Sequence, residues 1–182
     1  MSAEQLGVIA AAAILVFWMV GAYNRMVAHR SAIGSALAQV AELLQRRSAT
    51  LSALAQALRD TLRAEQGTLD ALLAADAQQS AAIEALRQRP VMGPLAAAVT
   101  AAEVSLAASL ARTLALLDQH PDARDDPTRA APHVAVLREI EPRLAFARQL
   151  HNDAVASYNA AARQFPTRLL TRLFGFGTAG RL

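Results

Sequence analysis

Cysteine and lysine are both absent from this 182-residue chain. Without cysteine there is no disulfide, no thiolate nucleophile and no Cys-ligated zinc. The absence does not choose a compartment, because both sides of an inner membrane tolerate it. Without lysine, all 18 basic residues are Arg, and the net charge is only +3. The high isoelectric point, about 10.5, therefore reflects Arg in place of Lys, and a large basic surface is not implied. Aromatics are scarce, with five Phe, two Tyr and one Trp. Nucleic-acid binding needs a clustered basic face with stacking or groove-reading groups, so no nucleic-acid partner is expected. Alternating β-branched runs are missing too, which argues against strands. No Ser-His-Asp set, phosphate loop, pocketed carboxylate pair or HExxH helix is visible. The chain is expected not to be an enzyme, with no catalytic residue, cofactor or metal.

What is present begins with an uncharged run, Leu6–Ala22, reading LGVIAAAAILVFWMVGA. As a helix it spans about 25 Å, at the short end for a hydrocarbon core of about 30 Å. Tyr23 extends it, and Trp18 and Tyr23 suit the headgroup level. A buried core helix and a cleaved signal peptide are the competing readings. A signal peptide wants basic residues before its apolar stretch. The segment here is MSAEQ, although Ala-x-Ala triplets occur within the run. The expectation is an uncleaved single-pass anchor over 6–23, after a short tail over 1–5. No Arg or Lys precedes the run, whereas Arg25 and Arg30 follow it. By flanking positive charge, the N-terminus is expected outside and the remainder in the cytoplasm, at a cell inner membrane.

Beyond the anchor, Ala, Leu, Gln, Glu and Arg dominate, all strong helix formers. Leu37, Leu44, Leu51 and Leu58 recur every seven residues, with Val40, Arg47, Leu54 and Thr61 between them. This is a seam of the coiled-coil type. After Leu58 it slips by four residues and continues through Leu62, Leu69, Leu72, Ile83 and Leu86. Such a slip unwinds a supercoil locally without ending the helix, although nearby Gly67 suits a kink or break. RQRPVMGP at 87–94 is a turn. Helix over 95–119 carries Leu106, Leu110, Leu114 and Leu117 on one stripe. The polar loop 120–132 follows. A last helix over roughly 133–165 has Leu137, Leu144, His151, Tyr158 and Phe165 on its seam, alternating with Ile140, Ala147, Ala154 and Ala161. Pro142 should kink that helix or delay its start. The fold class expected is all-α: an antiparallel up-and-down bundle over 24–166, following the anchor. It has four helical segments, the first two possibly one long bent helix. The seven-residue seam can pack within the chain or between chains, so a homo-oligomer stays open.

Several stretches resemble the LemA family of membrane-anchored bacterial proteins. They are Tyr23-Asn24-Arg25-Met26-Val27, Leu43-Leu44-Gln45-Arg46-Arg47 and, most strongly, Arg143–Pro166, RLAFARQLHNDAVASYNAAARQFP. His120-Pro121-Asp122 is similar to the family's Tyr-Pro-Asp loop, and Phe174-Gly175-Phe176 fits its tail. His151 stands where Tyr is usual, and Ser52 where Pro is usual. The resemblance implies one N-terminal anchor and a bromodomain-like, up-and-down bundle, with no established catalytic activity.

Candidate structural or interface residues are Arg46, Arg47, His151, Asn152, Asp153, Tyr158 and Asn159. Arg47 occupies a seam position and needs a carboxylate if buried; Glu139, Glu141 and Asp153 are the candidates. His151 reads as a hydrogen-bonded core histidine, with pH sensing the sharper alternative. His120, Asp122, Asp125 and Asp126 share a loop but lack calcium-loop spacing. Caps and solvation are the expected uses. The segment 167–182 reads as a basic amphipathic tail. It either lies on the membrane, with Arg168, Arg172 and Phe174 at the interface, or docks along the bundle. The expected role is a non-enzymatic scaffold, adaptor or regulator working through unidentified membrane-associated protein partners. The alternatives are a lipid- or small-ligand-binding module and a periplasm-facing envelope protein.

Overall fold

The computed structural model describes residues 3–164 and 177–182. Helix α1 runs unbroken from Ala3 to Leu58. Its 56 residues extend about 84 Å. It is followed by α2, Gln66–Gln88; α3, Gly93–Leu117; a single turn α4, Pro121–Arg124; and α5, Ala130–Arg163. No strand is present among the described residues.

Most of the seam residues read from the sequence form the core; Thr61, Leu110, Leu114 and Ala154 are half-buried, and Phe165 lies outside the described residues. Leu51, Leu54, Leu58, Leu69, Leu72, Leu106, Leu117 and Leu137 pack at one end. Leu37, Val40, Leu44, Ile83, Leu86, Val99, Leu144 and Ala147 fill the middle. Met26, Ile33, Val155, Tyr158 and Ala161 close the other end. Early α1 thus meets late α5, and late α1 meets early α5 and early α2. The order is up-down-up-down, with the seam packing inside the chain. Helix α1 contacts α5 and α2 most extensively, and α2 contacts α3. The α3–α5 side is wider and holds a cleft of about 240 Å³ between Leu110, Leu114, Val134 and Leu137.

The four-residue slip after Leu58 ends α1, so the expected helical segments are separate, and the alternative of one long bent helix for the first two does not hold. Residues 59–65 form the reversal. There Gln66 donates its side-chain amide to the Arg59 and Leu62 carbonyls, and the Leu62 carbonyl also accepts from the Glu65 N–H. Leu62 is fully buried in the turn. Only a reversal lets the Leu69–Leu86 stripe face Leu37–Leu58; a continued helix would leave it in solvent. Gly67 is not needed for this, since a side chain there would meet open space. Pro142 lies inside α5, so of the two effects expected of it the delayed start does not occur. Pro142 is exposed, so the carbonyl it leaves unbonded is on the bundle's outer side.

The first four turns of α1 have no core to join. Leu6, Val8, Ile14, Leu15 and Phe17 are between 60% and 79% exposed. Burial begins at Ala22 and Met26. This portion is long and apolar enough to cross a membrane, with a mean hydropathy of 2.2 in its most apolar window. Helix α3 passes the same test at 1.5, but it packs on α2 and carries Glu103.

Candidate functional site

Two polar assemblies interrupt the Ala/Leu interior. The first centres on Arg47, which is only 3% exposed. Its guanidinium donates Nη1 to Glu103 Oε1 at 2.8 Å and Nη2 to Glu103 Oε2 at 2.6 Å. This is the paired, fork-to-fork geometry that favours Arg over Lys. Glu141 on α5 accepts a longer bond at 3.4 Å. Arg148 approaches Glu103 at 2.8 Å, and Gln79 donates to it at 3.0 Å. Beside this knot, Ser48 donates to buried Asp76 at 2.6 Å. One carboxylate on α3 is therefore held from all three other long helices.

Burial alone would lower the Arg47 pKa, but the hydrogen bonds and charge of Glu103, aided by Glu141, outweigh it and raise the value. Burial likewise works to raise the Glu103 pKa. Arg47 and then Arg148 overcome it and hold the carboxyl below its ordinary 4.5. Each shift favours the charged form.

Of the partners expected for Arg47, only Glu141 touches it. Glu139 instead pairs with exposed Arg46 at 3.7 Å and Arg143 at 3.0 Å, surface contacts of small worth. Asp153 is exposed and accepts from Gln149. Glu103 was missed, although it is the sole acidic residue between Gly93 and Leu117. Asp76 and Gln79 were missed as well. Their place on the Leu72–Ile83 stripe was the available signal.

The second assembly holds Gly177–Leu182 against the bundle. Asn159 donates to the Ala179 carbonyl at 2.9 Å and accepts from the Ala179 N–H at 3.0 Å. Asn152 does the same for Leu182, at 2.8 and 2.9 Å. Tyr158, fully buried in the α5 seam, donates to the Gly177 carbonyl at 3.1 Å. Burial raises the Tyr158 pKa, with Arg30 opposing. The two Asn residues are seven apart, about 10.5 Å along a helix. The residues they hold are three apart, about 10 Å along an extended chain. The spacings match, so each amide faces one main-chain donor and acceptor pair. Docking along the bundle thus holds for 177–182, while Arg168, Arg172 and Phe174 lie outside the described residues.

His151 lies between Leu144 and Tyr158 on the same seam, fully buried. The hydrogen-bonded histidine expected is not found among the described residues, where neither ring nitrogen has a partner. The neighbouring Asn152 amide is committed to Leu182. Burial lowers the His151 pKa below its ordinary 6.5, against a weaker opposing influence of Asn152. In the acidic loop the expected caps are not formed, since no side-chain cap bond is made at the start of α4 or α5. Asp125 pairs with Arg124, and Asp126 accepts from the Thr128 N–H and hydroxyl. Trp18 is half-buried on the apolar part of α1, and Tyr23, Arg25 and Arg30 are exposed around its end.

The fold and these two assemblies define a four-helix, up-and-down bundle with a buried ionic cross-tie, a docked extended segment and an apolar N-terminal helix. The LemA family model matches residues 36–181. The chain belongs to the LemA family. A search of curated proteins found no match.

Proposed function

We propose that this chain is a single-pass, membrane-anchored, non-enzymatic protein acting as a scaffold, adaptor or regulator at the inner membrane, with its bundle in the cytoplasm. The observation that carries this reading is the unbroken α1, whose exposed apolar turns pass into the bundle without a hinge. Such a helix fixes the bundle's distance and tilt from a membrane, which suits a protein that presents surfaces to others. The outer α1–α5 face offers one surface. Phe146 and Leu150 are 65% and 38% exposed there, beside an open groove of about 470 Å³ that includes Leu43 and Pro142.

The lipid- or small-ligand reading draws on the α3–α5 cleft. At about 240 Å³ it is smaller than the roughly 300–1,000 Å³ of most ligand pockets, whereas the groove beside Phe146, at about 470 Å³, lies within that range but is open to solvent.

An Ala108→Cys variant supplies the only thiol in the chain for topology. An impermeant maleimide is expected to label it only after the inner membrane is opened. Labelling of intact cells would overturn the cytoplasmic orientation in favour of the envelope-facing reading, and release by alkaline carbonate would overturn the anchor. A photocrosslinking residue at Phe146 is expected to yield a discrete adduct that Leu150→Asp removes at unchanged stability. No adduct from Phe146, Leu150 or exposed Val104 would overturn the protein-contact role.

A further inference from the structure

Gly177–Leu182 is held by side chains of a single helix, α5. Its main chain pairs with side chains of α5 through five hydrogen bonds. None of the backbone-to-backbone bonds between the described elements involves it. Gly177, Thr178 and Arg181 are exposed. The segment is therefore laid onto the finished bundle without being woven into it, and such elements open at low cost.

The groove has a readable preference. The hydrogen bonds of Asn152, Asn159 and Tyr158 to the segment go only to its main-chain atoms, so they accept any extended sequence, as in strand-addition modes of peptide binding. Selection comes from the floor. Ala179 is buried against Met26, Ile33, Val155 and Tyr158, which favours a small side chain. A Cβ at Gly180 would lie 2.7 Å from the Ala96 Cβ and 2.9 Å from the Gly93 Cα, so only glycine fits without movement of α3. Position 181 faces solvent. Leu182 packs against the middle core cluster, so an apolar residue suits it.

We infer that this face of α5 is a main-chain-reading peptide site, occupied in cis by Gly177–Leu182. Its partner ligand is an extended segment of pattern small–Gly–any–apolar from another protein. The inference deepens the adaptor reading and rests on it for its biological use. The chain's own segment acts as a built-in competitor.

The test uses the full chain in detergent micelles and the acetylated peptide Gly-Thr-Ala-Gly-Arg-Leu. Ala179→Cys places the only thiol of the protein at the buried position. Millimolar peptide is expected to speed its maleimide labelling at least fivefold, and a peptide with Leu in place of its second Gly is expected to have no effect. In parallel, Gly180→Leu disengages the chain's own segment, and the fluorescent peptide is expected to bind that variant at least tenfold more tightly than it binds the unsubstituted protein. Unaccelerated labelling overturns the inference whatever Gly180→Leu does, which covers a variant that fails to fold. Equal acceleration by the Leu-containing peptide overturns the selectivity. Labelling that speeds with protein concentration alone would assign the site to a second copy and overturn the partner ligand. None of these results bears on the Phe146 crosslinks, so the adaptor reading stands or falls separately.

Discussion

Arg47 on α1 and Glu103 on α3 meet through two parallel hydrogen bonds of 2.8 and 2.6 Å in the bundle interior. The pair joins helices that otherwise touch through α2. Its value lies less in net stability than in register. Desolvating two charges offsets most of their attraction, whereas any axial shift of α3 against α1 would separate the fork from its carboxylate.

Removing one partner leaves the other buried and uncompensated. Glu103→Ala is expected to destabilise the protein by about 3–5 kcal/mol, measured by urea unfolding in micelles. Arg47→Met combined with Glu103→Leu should recover most of that loss. A double variant no better than the single one would show that Arg148 and Gln79 contribute more than the pair itself.

The same pair contributes to the response to acid. The Glu103 carboxyl has a folded pKa below its ordinary 4.5. Its contribution to stability is therefore complete above about pH 4.5 and is lost as pH falls toward the folded value. Glu103→Gln should flatten this part of the Tm profile below pH 4.5.

His151 acts in a different window and with the opposite logic. Its folded pKa lies below 6.5 because the buried ring resists charging. Above pH 6.5 both folded and unfolded forms are neutral, and His151 has no influence on the pH profile. As pH falls below 6.5 the unfolded chain takes the proton first, and stability drops. The loss by pH 5.5 is up to about 1.4 kcal/mol. The Tm should fall between pH 7.5 and 5.5, and His151→Phe should remove that fall. An unchanged profile in the variant would assign the effect elsewhere.

Pro142 costs α5 one backbone hydrogen bond. Pro142→Ala is expected to raise stability by about 1–3 kcal/mol, because the residue is exposed within the helix. No gain would mean that α5 has adapted its packing to the proline.

Each docking amide should matter alone. Asn159→Leu removes both bonds to Ala179, and an Ala179→Cys thiol in that background should react with maleimide several times faster, with Tm changed little. Equal reactivity would show that apolar contacts of Ala179 and Leu182 suffice to hold the segment.

The helical architecture was legible because burial in an antiparallel bundle demands a repeat, and the repeat is written in Leu37 to Leu58, Leu69 to Leu86 and Leu137 to Tyr158. The apolar N-terminal run was legible for the same reason, since composition alone sets it apart. The end of α1 was not. A four-residue slip is compatible with a continued helix or a reversal, and only the need to bury the Leu69–Leu86 stripe selects the reversal.

The sequence by itself determined helix content, the core-facing residues and the presence of a charge on the seam at Arg47. Tertiary structure decided the partner of that charge, because Glu103 reaches it only once α3 lies across from α1. It also decided the use of Asn152 and Asn159. Along α5 they are two polar residues a heptad apart. Their function in holding an extended chain exists only when Ala179 and Leu182 arrive at the same spacing, between α5 and the small residues that open α3.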